Sequence, residues 1–377
     1  MTPRVQAKVM PSLIAAALLL GLLGGCRGHG LAGLFRSSET IELEPFEIIG
    51  GDPDSLKLAG LNDEELFQKG KAAFAAHELE NAARAFSLLV VAFPESELYE
   101  LARYNAGLSF ERMGECLTAL DFYVPLLDTL DDRHWLNTAY RVVECLYLLE
   151  GFTEAADLLE VILEFDTLPA NDRMIALVQQ GVCLLEAGQE HEALRSLQSA
   201  LGRYHIERRR DEEVIDTSVA ARAQYHLGEV YRRRFERARL DPATTDLETL
   251  ADDIEHKAEL LLSAQGHYLR AIRMGDAYWA TASGHQVGRL YEELYRQITN
   301  ARLPVTLGGA AERVAYLELL QEEMRVLLKK ALDAYEATLA AVERVGIKGA
   351  WRGRIEASLE RVQSLLLEDE PPRPPSS

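Results

Sequence analysis

Four stretches decide the fold: HELENAARAF (His77–Phe86), GECLTALDFY (Gly114–Tyr123), GFTEAADLLE (Gly151–Glu160) and GQEHEALRSL (Gly188–Leu197), each 37 residues after the last. In this register a turn residue recurs (His77, Gly114, Gly151, Gly188), and an alanine follows five residues later (Ala82, Ala119, Ala156, Ala193). Seven residues before the turn stand Gly70, Gly107, Glu144 and Gly181. One antiparallel helix pair cannot bury both of its faces, so such pairs stack on one another. Where the two helices of a pair cross closely only Gly or Ala fits, and a large residue four after the alanine, as at Phe86 and Tyr123, fills the gap beside it. Pro94 stops the second helix of the first unit. The pattern predicts an all-α chain, an alpha-solenoid of stacked antiparallel helix pairs.

Gly70, Ala82, Phe86 and Pro94 resemble the tetratricopeptide repeat, a helix-turn-helix unit of usually about 34 residues. The third unit departs from that pattern at Glu144 and Glu160, and Asp131 stands where proline would end the second unit. The resemblance implies that the first helices line a peptide-binding groove. Carried over position by position, it points to Phe67, Lys71, Phe74, Tyr104, Leu108, Arg112 and Arg141, with Cys145 beside them. The alternative is that several of these are core between repeats. Asn105 fits one position of the carboxylate clamp of chaperone-binding relatives, but Phe67 stands where that clamp needs a lysine.

After residue 203 the register breaks. Gly228 in YHLGEVY and Gly288 in QVGRLYEELY have the look of first helices, whose second helices arrive late, at AQGHYLRAI and ALDAYEATLAA. The expected organisation is four units over 61–203, then degenerate repeats over 204–369 with insertions near 232–257 and 299–314, and a disordered proline-rich tail at 370–377.

The N-terminal region reads differently. Arg4 and Lys8 precede the apolar run LIAAALLLGLL (Leu13–Leu23), which is far short of the ~20 residues that span a bilayer. A charged start, a short apolar stretch and small residues at its end make a secretory signal peptide, here residues 1–25. Leu23-Gly24-Gly25-Cys26 resembles the bacterial lipobox, which implies lipidation of Cys26 and anchoring to a membrane; the alternative is an ordinary signal peptide or signal anchor. Arg27 in place of aspartate after the cysteine implies, by the same resemblance, the outer membrane. Residues 26–60 are rich in Gly and read as a flexible tether, in which IELEPFEII (Ile41–Ile49) alternates weakly and Pro45 marks an edge or docking strand.

Composition narrows the function. A formal charge of -20 excludes nucleic-acid binding by bulk electrostatics. No Walker loop, dinucleotide fingerprint, H-E-x-x-H or G-x-S-x-G is present, the nine histidines lack metal spacing, and no enzyme activity, metal or soluble cofactor is expected. Cys116, Cys145 and Cys183 read as small core residues, with one disulfide and a free thiol as the alternative in an oxidising compartment. RYHIERRRDEE (Arg203–Glu213) and YRRRFERAR (Tyr231–Arg239) are Arg-rich. Ten arginines face seven acids across 203–239, so internal pairing is expected ahead of a phosphate-binding patch.

These features together predict a non-catalytic scaffold, lipid-anchored at the periplasmic face, that recruits other envelope proteins through peptide segments. GDAYWATASGHQVGRLYEELY (Gly275–Tyr295) and ALDAYEATLAAVERVG (Ala331–Gly346) resemble the tetratricopeptide lipoproteins of the myxobacterial gliding-motility complex, which implies a motility role. The tetratricopeptide lipoprotein of the barrel-assembly machinery has the same layout and implies assembly of outer-membrane barrels or pilus secretins. A cell-wall enzyme accessory is the third reading.

Overall fold

A helix reverses direction most tightly when the residue just past its end takes the left-handed conformation, which lets two amide groups reach back to its last carbonyls. Gly114 and Gly188 do this with φ of 82° and 79°, and His77 does it with φ of 61°. In the third unit the left-handed residue is Glu150, not Gly151, which has φ of -76°. The amide of Gly151 donates to the Leu146 carbonyl as that of Glu115 does to Phe110, each the residue after the left-handed one. The third turn therefore arrives one residue early. Its counterparts of Gly107, Ala119 and Tyr123 are Val143, Ala155 and Leu159, all buried. Glu144 and Glu160, which looked like departures from the pattern, are solvent-exposed, and Ala156 is one residue past the equivalent position.

The computed structural model describes residues 58, 60–210, 216–239, 247–300, 309–346 and 350–368. The signal peptide, Cys26, nearly all of the tether and the tail at 370–377 lie outside them. The described residues form thirteen α-helices and a 3-10 turn, with no strand among them. The chain divides into two compact units, Met1–Glu164 and Phe165–Ser377. The first holds α1 (Asp63–Ala75), α2 (Leu79–Ala92), α3 (Tyr99–Arg112), α4 (Cys116–Tyr123), the 3-10 turn Val124–Asp128, α5 (Asp132–Leu148) and α6 (Phe152–Leu163). The second holds α7 (Ala170–Glu186), α8 (Glu190–Arg210), α9 (Thr217–Arg237), α10 (Leu247–Arg273), α11 (Ala277–Thr299), α12 (Ala310–Val345) and α13 (Ala350–Glu368). The fourth 37-residue unit, α7 with α8, thus packs with the later helices. Much of the 232–257 range is helical, as the end of α9 and the start of α10.

Within each unit every helix packs on the next, and odd-numbered helices of the second unit also touch one another. Asn62 opens α1 with a capping box: its side chain accepts from the Glu65 amide at 2.9 Å, and its own amide donates to the Glu65 carboxylate at 3.0 Å. Asp131 caps α5 by accepting from the His134 amide at 3.0 Å, which is why an acid replaces proline there.

The crossing inside each pair is set by one steric rule. A Cβ added at Gly70 would lie 2.6 Å from the Phe86 ring, at Gly107 2.7 Å from Tyr123, at Gly181 2.6 Å from Leu197, at Gly228 2.5 Å from Tyr268 and at Gly288 2.4 Å from Tyr335. The partner residue always follows a fully buried alanine by four: Ala82, Ala119, Ala193, Ala264 and Ala331. The pairs after residue 203 obey the rule as closely as the early ones, although longer helices had hidden the period.

Candidate protein-interaction site

The two aspartates that start α9 and α11 fix the site's position. Asp216 accepts from the Ser218 amide at 2.8 Å, and Asp276 accepts from the Trp279 amide at 2.8 Å. The first turns of these helices thereby hold Ser218, Val219 and Arg222 beside Tyr278 and Trp279. With Ile175 of α7 they line a cleft of about 480 Å³ that spans three successive odd-numbered helices of the second unit.

Aromatic rings continue from the cleft in both directions. Trp279 lies 5.2 Å from Tyr225, 5.6 Å from His226 and 4.9 Å from Tyr278 between ring centroids. Tyr278 approaches Trp351 of α13 at 6.0 Å, and Trp351 meets His285 at 5.7 Å. Cations border the rings: the Arg222 guanidinium sits 6.0 Å from Trp279 and that of Arg354 sits 5.2 Å from Trp351. Arg222 is also held by Gln179, which accepts from it at 2.5 Å. Tyr278 is 52% exposed, an unusual state for an aromatic inside a ring cluster. Rings with bordering guanidinium groups recognise apolar and acidic side chains together. Among the described residues no cluster of His, Cys, Asp or Glu could hold a metal ion, and the cleft contains no nucleophile beside a base.

Burial holds the histidines here neutral. His226 is pushed down to about 3, first by desolvation and then by Arg222 and Arg233. Burial likewise takes His285 to about 4, with Arg289 adding to it, and His267 to about 4, with Arg270 adding to it. In the unfolded chain each titrates near 6.5. Between pH 4 and 6.5 the unfolded state therefore binds more protons, and stability falls as pH drops through that window. Urea unfolding at pH 5 is expected to show each histidine weakening the fold by about 1–2 kcal/mol relative to pH 7. The H226Q/H267Q/H285Q variant should lose that part of the pH slope.

Both units carry a polar arrangement that sequence reading missed. On α9 the buried Glu229 accepts from the Tyr268 hydroxyl at 2.5 Å, from Gln286 of α11 at 2.9 Å and from Arg232 at 2.8 Å. On α11 Glu292 accepts from the Tyr335 hydroxyl at 3.0 Å and from Arg361 of α13 at 2.5 Å. On α3 Glu111 accepts from the Tyr123 hydroxyl at 2.8 Å and from Arg141 of α5 at 2.7 Å. The motif is one and the same. The tyrosine that fills the glycine gap also presents its hydroxyl to a carboxylate on the glycine's helix, and the next odd-numbered helix supplies a second donor. Burial and the adjoining carboxylate push all three phenols above their ordinary range.

The Arg-rich stretch of α9 is consumed internally. Arg232 pairs with Glu229 and Glu236 on its own helix. Arg233 reaches Glu186 of α7 at 2.5 Å and the Leu185 carbonyl at 2.9 Å, and Arg234 and Arg237 both reach Glu190 of α8.

The sequence-derived groove residues separate into three kinds. Phe67 is a core residue, packed edge-on against Phe86 at 5.6 Å, and this corrects its assignment to the groove. The face of α1 that carries it is turned onto α2. Phe74, Tyr104 and Leu108 are half-buried, with Tyr104 5.7 Å from Tyr123. Arg141 is tied to Glu111, and Cys145 is buried. Lys71 and Arg112 are exposed. The cleft lies in the second unit and draws Tyr278 and Trp279 from DAYWATASGHQ, a stretch whose sequence shows only a family likeness. The signal that could have found it is two adjacent aromatics, Tyr278 and Trp279, placed just after a helix cap.

No protein-family model matches the chain, and no curated protein matches it. Among solved structures it is similar to the apo form of RapI, with 13% identity over 82% of this chain and 98% of that one and a TM-score of 0.40. It is also similar to a tetratricopeptide repeat protein from Parabacteroides merdae, with 13% identity over 80% of this chain and 98% of that one and a TM-score of 0.37. A TPR repeats protein from Bacteroides fragilis is similar at 12% identity over 81% of this chain and 99% of that one, with a TM-score of 0.30.

Proposed function

We propose that the chain is a lipid-anchored, non-catalytic scaffold that gathers partner proteins of a bacterial envelope by binding an extended acidic segment with an aromatic or aliphatic anchor. The observation that carries this reading is the cleft of Ile175, Ser218, Val219, Arg222, Tyr278 and Trp279. It is a ring-walled, arginine-bordered surface on a chain of net charge -20. Such a surface suits a few buried anchors and a charged rim. Anchoring is supported by the Leu23-Gly24-Gly25-Cys26 sequence, and the outer membrane by Arg27. A gliding-motility complex is the setting we favour, on the likeness of Gly275–Tyr295 and Ala331–Gly346, because the first of these segments carries Tyr278 and Trp279.

The test compares detergent extracts of cells bearing the wild-type chain, W279A/R222A and Cys26→Ser. W279A/R222A is expected to lower recovery of trans-envelope partners at least about tenfold, since anchor residues contribute about 2 kcal/mol or more each. Cys26→Ser should move the chain to the soluble fraction while the purified protein still binds. Undiminished recovery by W279A/R222A removes the cleft from the reading, and Cys26→Ser remaining in membranes removes the lipid anchor. Collapse of barrel or secretin levels on depletion, with motility partners unrecovered, would favour the assembly-factor role instead.

A further inference from the structure

We propose that Cys116 and Cys145 form a disulfide that clasps α4 to α5. Cys116 is the first residue of α4, and Cys145 lies in the last turn of α5, the next helix against which α4 packs. Both are free thiols in this structure, on the packed helices α4 and α5, and the Cys145 side chain interacts with that of Cys116. Both are buried, at 5% and 0% exposure. Cys183 has a different neighbour: the Gln179 amide of its own helix donates to its sulfur at 3.7 Å. The three cysteines therefore separate into one facing pair and one single thiol.

The location gives the bond a purpose. With eight residues α4 is the shortest α-helix described; its start has no side-chain cap, and it runs directly into the 3-10 turn Val124–Asp128. Short, uncapped helices depend on tertiary contacts to stay formed. A bond from the first residue of α4 to the far end of α5 encloses this weak segment and cuts the freedom it gains on opening.

The chemistry is thiol–disulfide exchange. One cysteine thiolate attacks the disulfide of an oxidant R–S–S–R, such as oxidised glutathione or an oxidising protein disulfide, and releases one R–S⁻. The second cysteine then displaces the other R–S⁻ from the mixed disulfide. Two thiols become one S–S bond, the oxidant is reduced by two electrons to two R–SH, and these take up the two protons lost. Exchange happens as the chain folds, before α4 and α5 close over the sulfurs. Once closed, burial shields the bond from reduction. In the cell this rests on the export reading above; in the test tube it does not.

The experiment unfolds the full-length mature chain carrying Cys26→Ser and refolds it in mixed oxidised and reduced glutathione. Free thiols are then alkylated and the digest is weighed by mass spectrometry. The expected product is a Cys116–Cys145 linked peptide with Cys183 alkylated. Digestion within 116–145 under native conditions should be slower on the order of tenfold than in the reduced protein. Cys183→Ser should leave the link intact, and Cys145→Ser should leave Cys116 alkylated. Alkylation of both Cys116 and Cys145 after oxidative refolding overturns the proposal, as does a link that includes Cys183. If the link forms in vitro but protein isolated from envelopes is fully reduced, the pairing stands and the export reading fails.

Discussion

Glu229→Ala is expected to destabilise the fold by about 3 kcal/mol, measured by urea unfolding at pH 7, which is the lower end of the range for breaking a buried ion pair. The carboxylate receives the Tyr268 hydroxyl, the Gln286 amide and the Arg232 guanidinium, and it is buried. Alanine leaves the buried Tyr268 hydroxyl without its acceptor and takes one acceptor from Gln286, which keeps the Tyr225 hydroxyl, and a buried unpaired group carries most of its desolvation penalty. Arg232 retains Glu236, which is what holds the loss to the lower end. Glu229→Gln keeps the shape and one acceptor oxygen and should lose about half as much. Tyr268→Phe leaves Glu229 with its charged partner and should lose about 1 kcal/mol. A loss in Glu229→Ala with none in Glu229→Gln or Tyr268→Phe would mean that the carboxylate contributes only by filling space.

The second large effect belongs to the glycine gap. Gly228→Ala and Gly288→Ala each put a methyl group 2.4–2.5 Å from a tyrosine ring. Neither ring can swing aside cheaply, because the hydroxyls of Tyr268 and Tyr335 are bound to Glu229 and Glu292. Each substitution should destabilise by about 1–3 kcal/mol, the ordinary magnitude of overpacking in a filled core. The third pair shows how the gap is otherwise filled, with Val143 and Leu159 at the equivalent positions, both buried. G228V/Y268L copies that combination. It should be less destabilised than the sum of its single variants by at least about 1 kcal/mol, the coupling expected of residues in contact. Additive losses would show that the ring does not define the gap.

These two effects also mark what could be read in advance. The glycines of the first, second and fourth pairs and the aromatics of the first two were legible because a steric limit leaves a residue type behind at fixed spacing. Gly228 and Gly288 were legible singly, even where longer helices had broken the period. The phase of the third unit was not. Gly151 stands beside the true left-handed residue Glu150 and looks the part, so Glu144 and Glu160 were read one position late. Phe67 was misplaced because a helix between two neighbours has two buried sides, and spacing alone does not tell an inner groove from an inter-helix seam. The hydroxyl–carboxylate–cation arrangement was out of reach for another reason. Tyr123 and Glu111 are 12 residues apart, Arg141 and Glu111 are 30, Tyr335 and Glu292 are 43, and Arg361 and Glu292 are 69. Only the stacking of pairs brings such groups together. The cleft combines both difficulties, since it draws on helices whose spacing the sequence does not reveal.

The carboxylate junction gives the chain a direction. Glu111 and Glu292 each look forward to an arginine that belongs to the following pair, Arg141 and Arg361. A cut placed between such a glutamate and its arginine parts the two and strands both charges, whereas a duplication or deletion that takes the glutamate and its arginine together keeps the junction whole. A designer wishing to lengthen or shorten this protein should accordingly keep splice points out of 111–141 and 292–361.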